Sequence, residues 1–134
     1  MSKYLTRESL IAYCTRFPQA YEDYPFDDPN WTVMRRRDTQ RGFAWIFERE
    51  GKIWVNVKTR PDWGDFWRQC YSAVIPAYHM NKKHWNSIIL DGTVPDAEIE
   101  KMITESYDLC GKKRRAEREK ETDETIHINA EEET

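Results

Sequence analysis

Apolar residues in the first segment of the chain recur at the spacing of a helix. Leu10, Cys14 and Phe17 follow one another three or four positions apart, which is the period of one helix face. We predict a first helix that ends before Pro18, since proline cannot continue a helix. Residues 19–31 are rich in proline and acids, and we interpret them as a loop or a short irregular edge.

Three segments with apolar residues at alternating positions follow. They are WTVMRR (31–36), FAWIFERE (43–50) and KIWVNVK (52–58). Alternation bounded by turn residues is typical of an antiparallel meander. We expect Phe43, Trp45 and Phe47 to share one face. Each connecting turn also contains a glycine, Gly42 or Gly51, that can supply a positive φ angle.

A second helix is predicted in RPDWGDFWRQCY (60–71). Trp63, Phe66, Trp67 and Cys70 lie at positions i, i+3, i+4 and i+7, so we expect them to form one buried stripe. The elements predicted after it are a loop (76–83), a strand (HWNSIIL, 84–90) and a last helix entered by TVPDAEIE (93–100).

The predicted order is helix, three strands, helix, at least one strand and helix. This order is typical of an α+β fold, in which helices pack on one face of an antiparallel β-sheet. A length of 134 residues fits one domain, which we place at residues 1–111. The chain from residue 112 onward is densely charged and poor in apolar residues, so we expect 112–134 to be a largely disordered tail.

Composition narrows the class of protein. No apolar run approaches the roughly 20 residues that cross a bilayer, so we expect a cytoplasmic protein without membrane contact. The net charge is −3, and fifteen Lys/Arg oppose sixteen Asp/Glu within residues 1–111; any polyanion site must therefore be a local patch. Cys14, Cys70 and Cys110 lie far apart on apolar stripes, and we expect buried, reduced thiols.

The segment PAYHMNKKHW (76–85) concentrates polar and aromatic side chains. Its candidate contacts are Lys82 and Lys83 as charges, Asn81 and Asn86 as amide donors, and Tyr78 and Trp85 as stacking planes. Basic residues interleaved with aromatic and amide side chains are typical of a phosphate or nucleic-acid surface. A loop that only needs to be soluble would carry similar lysines.

The first hairpin is a second basic candidate. Its sequence RRRDTQR places Arg35, Arg36, Arg37 and Arg41 around one turn, and such a tip can lie in a groove or along a phosphate backbone. Alternation sends Arg35 and Arg36 to opposite faces of the sheet, so the four arginines cannot all act together. A solvated edge is the alternative interpretation.

Metal binding has weak support in the sequence. His79 and His84 are five positions apart, so they share neither a helix face nor a strand face. No nearby cysteine or carboxylate completes a metal shell before Asp91. The acids within residues 22–28 lack the spacing of a calcium loop. We therefore expect no metal and no other cofactor, and we identify no catalytic residue.

The chain resembles the MmcQ/YjbR family. The resembling segments are YEDYPFDDPNWTVMR (21–35), WVNVK (54–58), PAYHMNKKHWNSIILDGTVPDAEI (76–99) and SYDL (106–109). The resemblance covers about residues 5–111 and implies a frataxin/CyaY-like α+β fold. It also implies DNA binding through hairpin loops that act as paired wings. Iron binding, which frataxins achieve with acids on the first helix, is not supported, because that helix carries only Glu8.

The leading hypothesis is a monomeric, non-enzymatic protein that binds double-stranded DNA or another polyanion. Its predicted contacts are Arg35, Arg37, Arg41, Asn81, Lys82, Lys83, His84 and Trp85. A second hypothesis is a small-molecule pocket or enzyme site, lined by Tyr78, His79, Asn81, His84, Trp85 and Asn56. A third is a protein-interaction module that uses exposed aromatic residues near Trp31 and Trp54.

Overall fold

The computed structural model describes residues 2–112. Its helices are α1 (Arg7–Thr15), α2 (Pro61–Cys70) and α3 (Asp96–Leu109). Its strands are β1 (Ala20–Asp23), β2 (Thr32–Arg36), β3 (Gly42–Arg49), β4 (Lys52–Lys58), β5 (Val74–Pro76) and β6 (Trp85–Ile89). The strands form one antiparallel sheet in the order β1-β2-β3-β4-β6-β5. The predicted α+β class is confirmed, whereas the predicted tail lies outside the described residues beyond Lys112.

The helices enclose the hydrophobic core against one face of the sheet. Ile99 and Ile103 of α3 join Val55 and Ile88 from the sheet in one buried cluster. α1 packs on β1 to β3 and α3 packs on β3 and β4, whereas α2 contacts the edge strand β5. Full burial of one such side chain contributes roughly 1.5–3 kcal/mol to folding, so this face supplies much of the fold's stability.

A bulge at the start of β3 changes which residues share a face. The pairing register with β2 shifts after Gly42, and Phe43 has no partner in the ladder. Phe43 turns toward the helices and packs edge-on against Tyr107 of α3, with ring centroids 5.2 Å apart. Trp45 and Phe47 lie on the opposite face. The prediction that Phe43 shares a face with them is wrong, because a bulge interrupts strict alternation.

The two hairpin turns use different residues for their left-handed positions. Gly51 has a φ angle of 76°, as predicted for the second turn. In the first turn Gln40 takes this conformation, with φ at 62°, and Gly42 is already part of β3. A Cβ atom at Gly42 would lie 2.6 Å from Cγ1 of Val33 and 2.9 Å from the ring of Trp45. Glycine is therefore required there for space.

The predicted buried stripe of α2 is only partly present. Trp67 is buried, but Trp63 and Phe66 are each 47% exposed, and Cys70 is exposed while the other two cysteines are buried. The stripe is wrong beyond Trp67, and the expectation of three buried thiols is wrong at Cys70. The reason is the position of α2 at the edge strand β5, where the sheet covers only one side of the helix.

Two short edge strands are present that the sequence did not predict as strands. Ala20–Asp23 pairs with β2, and Val74–Pro76 pairs with β6. Three or four residues give too few positions for an alternation to be recognised. Within the described part of the chain, no helix is long and apolar enough to span a bilayer.

Candidate nucleic-acid interface

The hairpin between β2 and β3 (residues 37–41) and the loop before β6 (residues 77–84) emerge from the same end of the sheet. Lys58, the last residue of β4, pairs with Trp85, the first residue of β6. β3 is antiparallel to β4 and therefore begins at this end. Neighbouring strands lie about 4.8 Å apart, so roughly 10–14 Å separate the two connections. We call this end of the sheet the basic end.

Most cations at the basic end are exposed. They are Arg37, Arg41, Arg60, Lys82, Lys83 and Lys112, together with the half-buried Lys58.

The hydroxyl of Thr39 donates to the carbonyl of Cys110 at 2.7 Å, which fixes the end of α3 beside the hairpin. Burial raises the pKa of the Cys110 thiol, and the charges of Lys58 and Arg41 act in the opposite direction.

Arg36 faces the helices and is fully engaged there. Its guanidinium donates to both carboxylate oxygens of Asp38, at 3.0 and 2.8 Å, and to the carbonyl of Tyr107 at 2.9 Å. It also lies over the Tyr107 ring, 4.0 Å from the centroid. The hydrogen bond from Arg36 lowers the pKa of Asp38. Arg36 therefore anchors the hairpin to α3.

Arg35 faces the opposite side of the sheet, as alternation predicted. Its Nε donates to Asp23 at 2.6 Å and its Nη1 to the carbonyl of Gln40 at 3.0 Å. Its guanidinium carbon lies 5.7 Å from the ring centroid of Trp45. Because Asp23 is paired with Arg35, less of the charge of Arg35 is available to attract an anion.

Guanidinium groups and rings alternate across the first three strands on this face. Arg37 lies 5.1 Å from the ring centroid of Tyr21, Tyr21 pairs with Arg35 in the ladder, and Arg35 lies over Trp45. We call Arg37, Tyr21, Arg35 and Trp45 the arginine–aromatic row. The helices contact the other face, so the row lies on the helix-free face.

A buried polar network holds the loop at residues 77–84 onto the helix-free face. The side-chain amide of Asn56 donates to the carbonyl of Tyr78 at 2.8 Å, and the amide of Tyr78 donates to the hydroxyl of Ser87 at 2.9 Å. Ser87 in turn donates to Asn56. Asn56 and Ser87 are completely buried, so these bonds satisfy groups that would be costly to bury alone.

Aromatic rings reinforce the same loop. Tyr78 stacks on Phe47, with centroids 5.6 Å apart, and the guanidinium of Arg49 lies 4.3 Å from the Tyr78 centroid. Trp31 also stacks on Phe47, with ring centroids 4.4 Å apart. Trp54 is only 4% exposed, because Tyr78 and Arg49 lie against it. The expectation of an exposed aromatic residue at Trp54 is therefore wrong.

The lysine-containing turn of this loop is closed by its own side chains. The Asn81 side-chain oxygen accepts from the amides of Lys83 at 2.9 Å and His84 at 3.3 Å, a local turn that asparagine commonly forms. Nζ of Lys82 donates to the carbonyl of Ala77 at 2.9 Å. Asn81 therefore shapes the turn, and Lys82 divides its donors between the loop and solvent.

The remaining predicted residues of the loop have supporting positions. Trp85 is half-buried and packs against the core, and the carbonyl of His84 accepts from the amide of Thr59 at 2.8 Å. His79 is exposed and left-handed, with φ at 63° and its ring 4.0 Å from that of Tyr78. These residues fix where the loop lies.

The structure brings the predicted Arg37, Arg41, Lys82 and Lys83 to one end of the sheet. It adds residues that sequence reasoning did not select, namely Tyr21, Trp45, Lys58 and Arg60. Tyr21 and Trp45 are recognised as neighbours of Arg35 on the same face only when residues 20–23 are known to form a strand beside β2. Lys58 ends the last segment of the meander and Arg60 lies two residues beyond it, so the predicted end of that strand is the signal that could have indicated both.

Other parts of the described chain give the alternative sites little support. Cavities of about 610 and 410 Å³ flank α3, and residues 77–84 line neither of them. Within residues 2–112, no group of three or more His, Cys, Asp or Glu side chains is arranged to hold a metal ion.

Known proteins match most of this chain. A family model described as YjbR matches residues 15–109. The uncharacterised protein YjbR of Escherichia coli K12 is 33% identical over 103 residues, which cover 77% of this chain and 85% of that protein. The uncharacterised protein YyaQ of Bacillus subtilis 168 is 30% identical over 116 residues, covering 78% of this chain and 98% of that protein.

Solved structures match the fold as well. A crystal structure of a Deinococcus radiodurans protein with the domain DUF419 is 31% identical, with a TM-score of 0.76 and 89% of each chain covered. A crystal structure of a Pseudomonas syringae protein has a TM-score of 0.71 at 24% identity, covering 80% of this chain and all of that one. The second likeness concerns the fold alone.

Proposed function

This chain belongs to the YjbR family, and we propose that it is a nucleic-acid-binding protein whose basic end contacts phosphates. The observation that supports the proposal is the shared position of the hairpin at 37–41 and the loop at 77–84. Each brings exposed cations to the same end of the sheet. The curated relatives named above are uncharacterised, so the proposal rests on the geometry of this chain.

Charge pairing at the basic end leaves a local positive excess on a nearly neutral protein. Asp38 is paired with Arg36, and Asp23 is paired with Arg35. Because these acids are already neutralised, they oppose the exposed cations less than their number suggests. The hairpin and the loop lie roughly 10–14 Å apart, and each strand of a duplex carries a phosphate charge about every 3.4 Å along the helix axis. The basic end therefore spans a few nucleotides.

Binding through so few phosphates should be modest in affinity and sensitive to salt. For each phosphate neutralised, the slope of log K against log salt is about −0.9 for duplex DNA and about −0.7 for a single strand. With roughly four phosphates contacted, the affinity should fall about 100-fold between about 50 and 200 mM salt.

Fluorescence anisotropy with labelled oligonucleotides tests this proposal. We expect Arg37→Ala combined with Arg41→Ala, or Lys82→Ala combined with Lys83→Ala, to weaken binding about tenfold at low salt and to make the salt slope shallower. Lys3→Ala combined with Lys52→Ala is the charge-matched control, since both lysines are exposed at the other end of the molecule.

The control variant should bind as the wild type does. The proposal is wrong if the wild-type protein binds no oligonucleotide at low salt, or if the basic-end variants and the control weaken binding equally. Equal weakening would mean that only the overall charge of the protein matters.

The hypothesis of a small-molecule pocket gains no specific support from the loop. The polar groups of Asn56, Ser87 and Asn81 bond to the backbone of the loop itself or to one another. We therefore do not propose a second function.

A further inference from the structure

We infer that the arginine–aromatic row binds unpaired bases, so that the ligand class of this protein is single-stranded nucleic acid. The inference rests on the proposed function, because it assigns a ligand to a surface that adjoins the basic end. It selects one ligand from those that the cations alone would accept.

Rings and guanidinium groups alternate across neighbouring strands in this row, and all four residues are at least partly exposed to solvent. Arg37 lies over Tyr21 at 5.1 Å, and Arg35 lies over Trp45 at 5.7 Å. Both distances are within the range of cation–π contact. Unpaired bases stack on aromatic rings and also on guanidinium planes, so both kinds of surface in the row suit the same ligand.

The Trp45 ring is held in place before any ligand binds. Its indole N–H donates to the carbonyl of Gly42 at 3.2 Å, and the ring occupies the space where a Cβ atom of Gly42 would lie. Trp45 is half-buried, so part of the ring remains in contact with solvent. A ring that is already oriented loses little conformational freedom on binding.

The charges beside the row favour a flexible strand over a duplex. Arg35 is paired with Asp23, which leaves Arg37 and Arg41 as the exposed cations of the hairpin. A duplex keeps its bases stacked inside and would gain only phosphate contacts from this surface. A single strand gains phosphate contacts and base stacking together, and stacking improves affinity roughly 5- to 150-fold per base.

The far side of the row limits the length of the bound segment. Phe26 is 49% exposed and lies 6.3 Å from Trp45, centroid to centroid. Asp27 and Asp28 follow it and are exposed, and their charges repel phosphates. The site therefore accepts a short stretch of unpaired nucleotides that runs from the basic end toward Trp45.

Anisotropy measurements on an oligothymidine and on a duplex of equal length test this inference. We expect the single strand to bind at least about tenfold more tightly than the duplex at equal salt. Tyr21→Ala should remove about tenfold of the single-strand affinity, whereas Tyr21→Phe, which keeps the ring, should retain it. Trp63→Ala is the matched control, since Trp63 is an exposed aromatic residue on α2.

Three results separate this inference from the proposed function. If the duplex binds as tightly as the single strand and Tyr21→Ala changes neither affinity, the row is no base-stacking site, although the phosphate site stands. If Tyr21→Ala and Trp63→Ala weaken single-strand binding equally, the effect is not specific to the row and the inference fails. If neither oligonucleotide binds, both the inference and the proposed function are wrong.

Discussion

The two faces of the sheet are built from different kinds of interaction. The helix-covered face packs aliphatic side chains such as Ile88, Ile99 and Ile103 into one buried cluster. The helix-free face combines aromatic rings, guanidinium groups and the buried Asn56–Ser87 network. Aliphatic packing depends mainly on the apolar area removed from water, whereas the second face depends on distances and angles between particular groups.

Two adjacent arginines, Arg35 and Arg36, have different roles because they lie on different faces. Arg36 on the helix-covered face bonds to Asp38 and to the end of α3, and it serves to join elements. Arg35 on the helix-free face lies over the ring of Trp45, which is partly exposed to solvent. The same residue type thus joins secondary-structure elements on one face and forms part of the arginine–aromatic row on the other. Stability should depend more on the first face, and binding more on the second.

The largest loss of stability should follow truncation on the helix-covered face. Ile103 is completely buried, so Ile103→Ala should lower the free energy of unfolding by roughly 2–5 kcal/mol. Tyr21 is in the edge strand β1 and its side chain lies on the helix-free face. Tyr21→Ala should therefore lower the free energy of unfolding by less than about 1 kcal/mol. Urea denaturation of both variants measures the contrast. Equal losses of stability in the two variants would show that the helix-covered face does not contribute more to folding than the helix-free face.

An intermediate loss is expected for the polar network of the helix-free face. Asn56→Ala removes the side-chain donor to the carbonyl of Tyr78 and the acceptor for the hydroxyl of Ser87, which should cost about 1–3 kcal/mol. Amide hydrogen exchange should also become faster at Tyr78. Ser87→Ala acts on the same network, so the two substitutions together should cost less than the sum of their separate effects.

If Asn56→Ala leaves the free energy of unfolding unchanged, the polar network does not stabilise the helix-free face. The loop at residues 77–84 would then be held by the rings of Tyr78 and Phe47 alone. Unchanged exchange at Tyr78 would lead to the same conclusion.

The smallest effect should come from Asp38 and should depend on pH. Its hydrogen bond from Arg36 lowers the pKa of Asp38 in the folded protein, relative to about 3.9 in an unfolded chain. The stabilisation is therefore present above about pH 4 and is lost as the pH falls through the folded pKa. Asp38→Asn should cost at most about 1 kcal/mol at neutral pH.

Urea denaturation of the wild type and of Asp38→Asn at a series of pH values measures this effect. The difference in stability should shrink as the pH falls below about 4. A difference that stays constant down to about pH 2 would mean that the charge of Asp38 does not contribute.

The sequence predicted those elements in which a repeated pattern ran for several residues. The first and last helices, the three-stranded meander and the strand before Leu90 all have such a pattern, and all are present. β1 and β5 have three or four residues, and their pairing depends on neighbours far away in the sequence. Periodicity does not contain this information.

Errors about burial also arose from neighbours that the local pattern does not reveal. Trp54 is buried because Tyr78 and Arg49 come from other parts of the chain to cover it. Trp63 and Phe66 are exposed because α2 lies at the edge of the sheet. In the candidate site, the cations of the hairpin and loop were visible in the sequence. The position of the hairpin and the loop at one end of the sheet, and the arginine–aromatic row, depend on strand register, which the sequence pattern does not give.

The short edge strands have a consequence for how the protein behaves at high concentration. β1 and β5 are the two borders of the sheet, and β5 ends at Pro76, whose nitrogen has no hydrogen to donate. Such borders offer a second molecule few backbone groups in a row, which is how natural sheets avoid edge-to-edge aggregation. Growth of fibrils by addition of one molecule's sheet to another is thereby disfavoured.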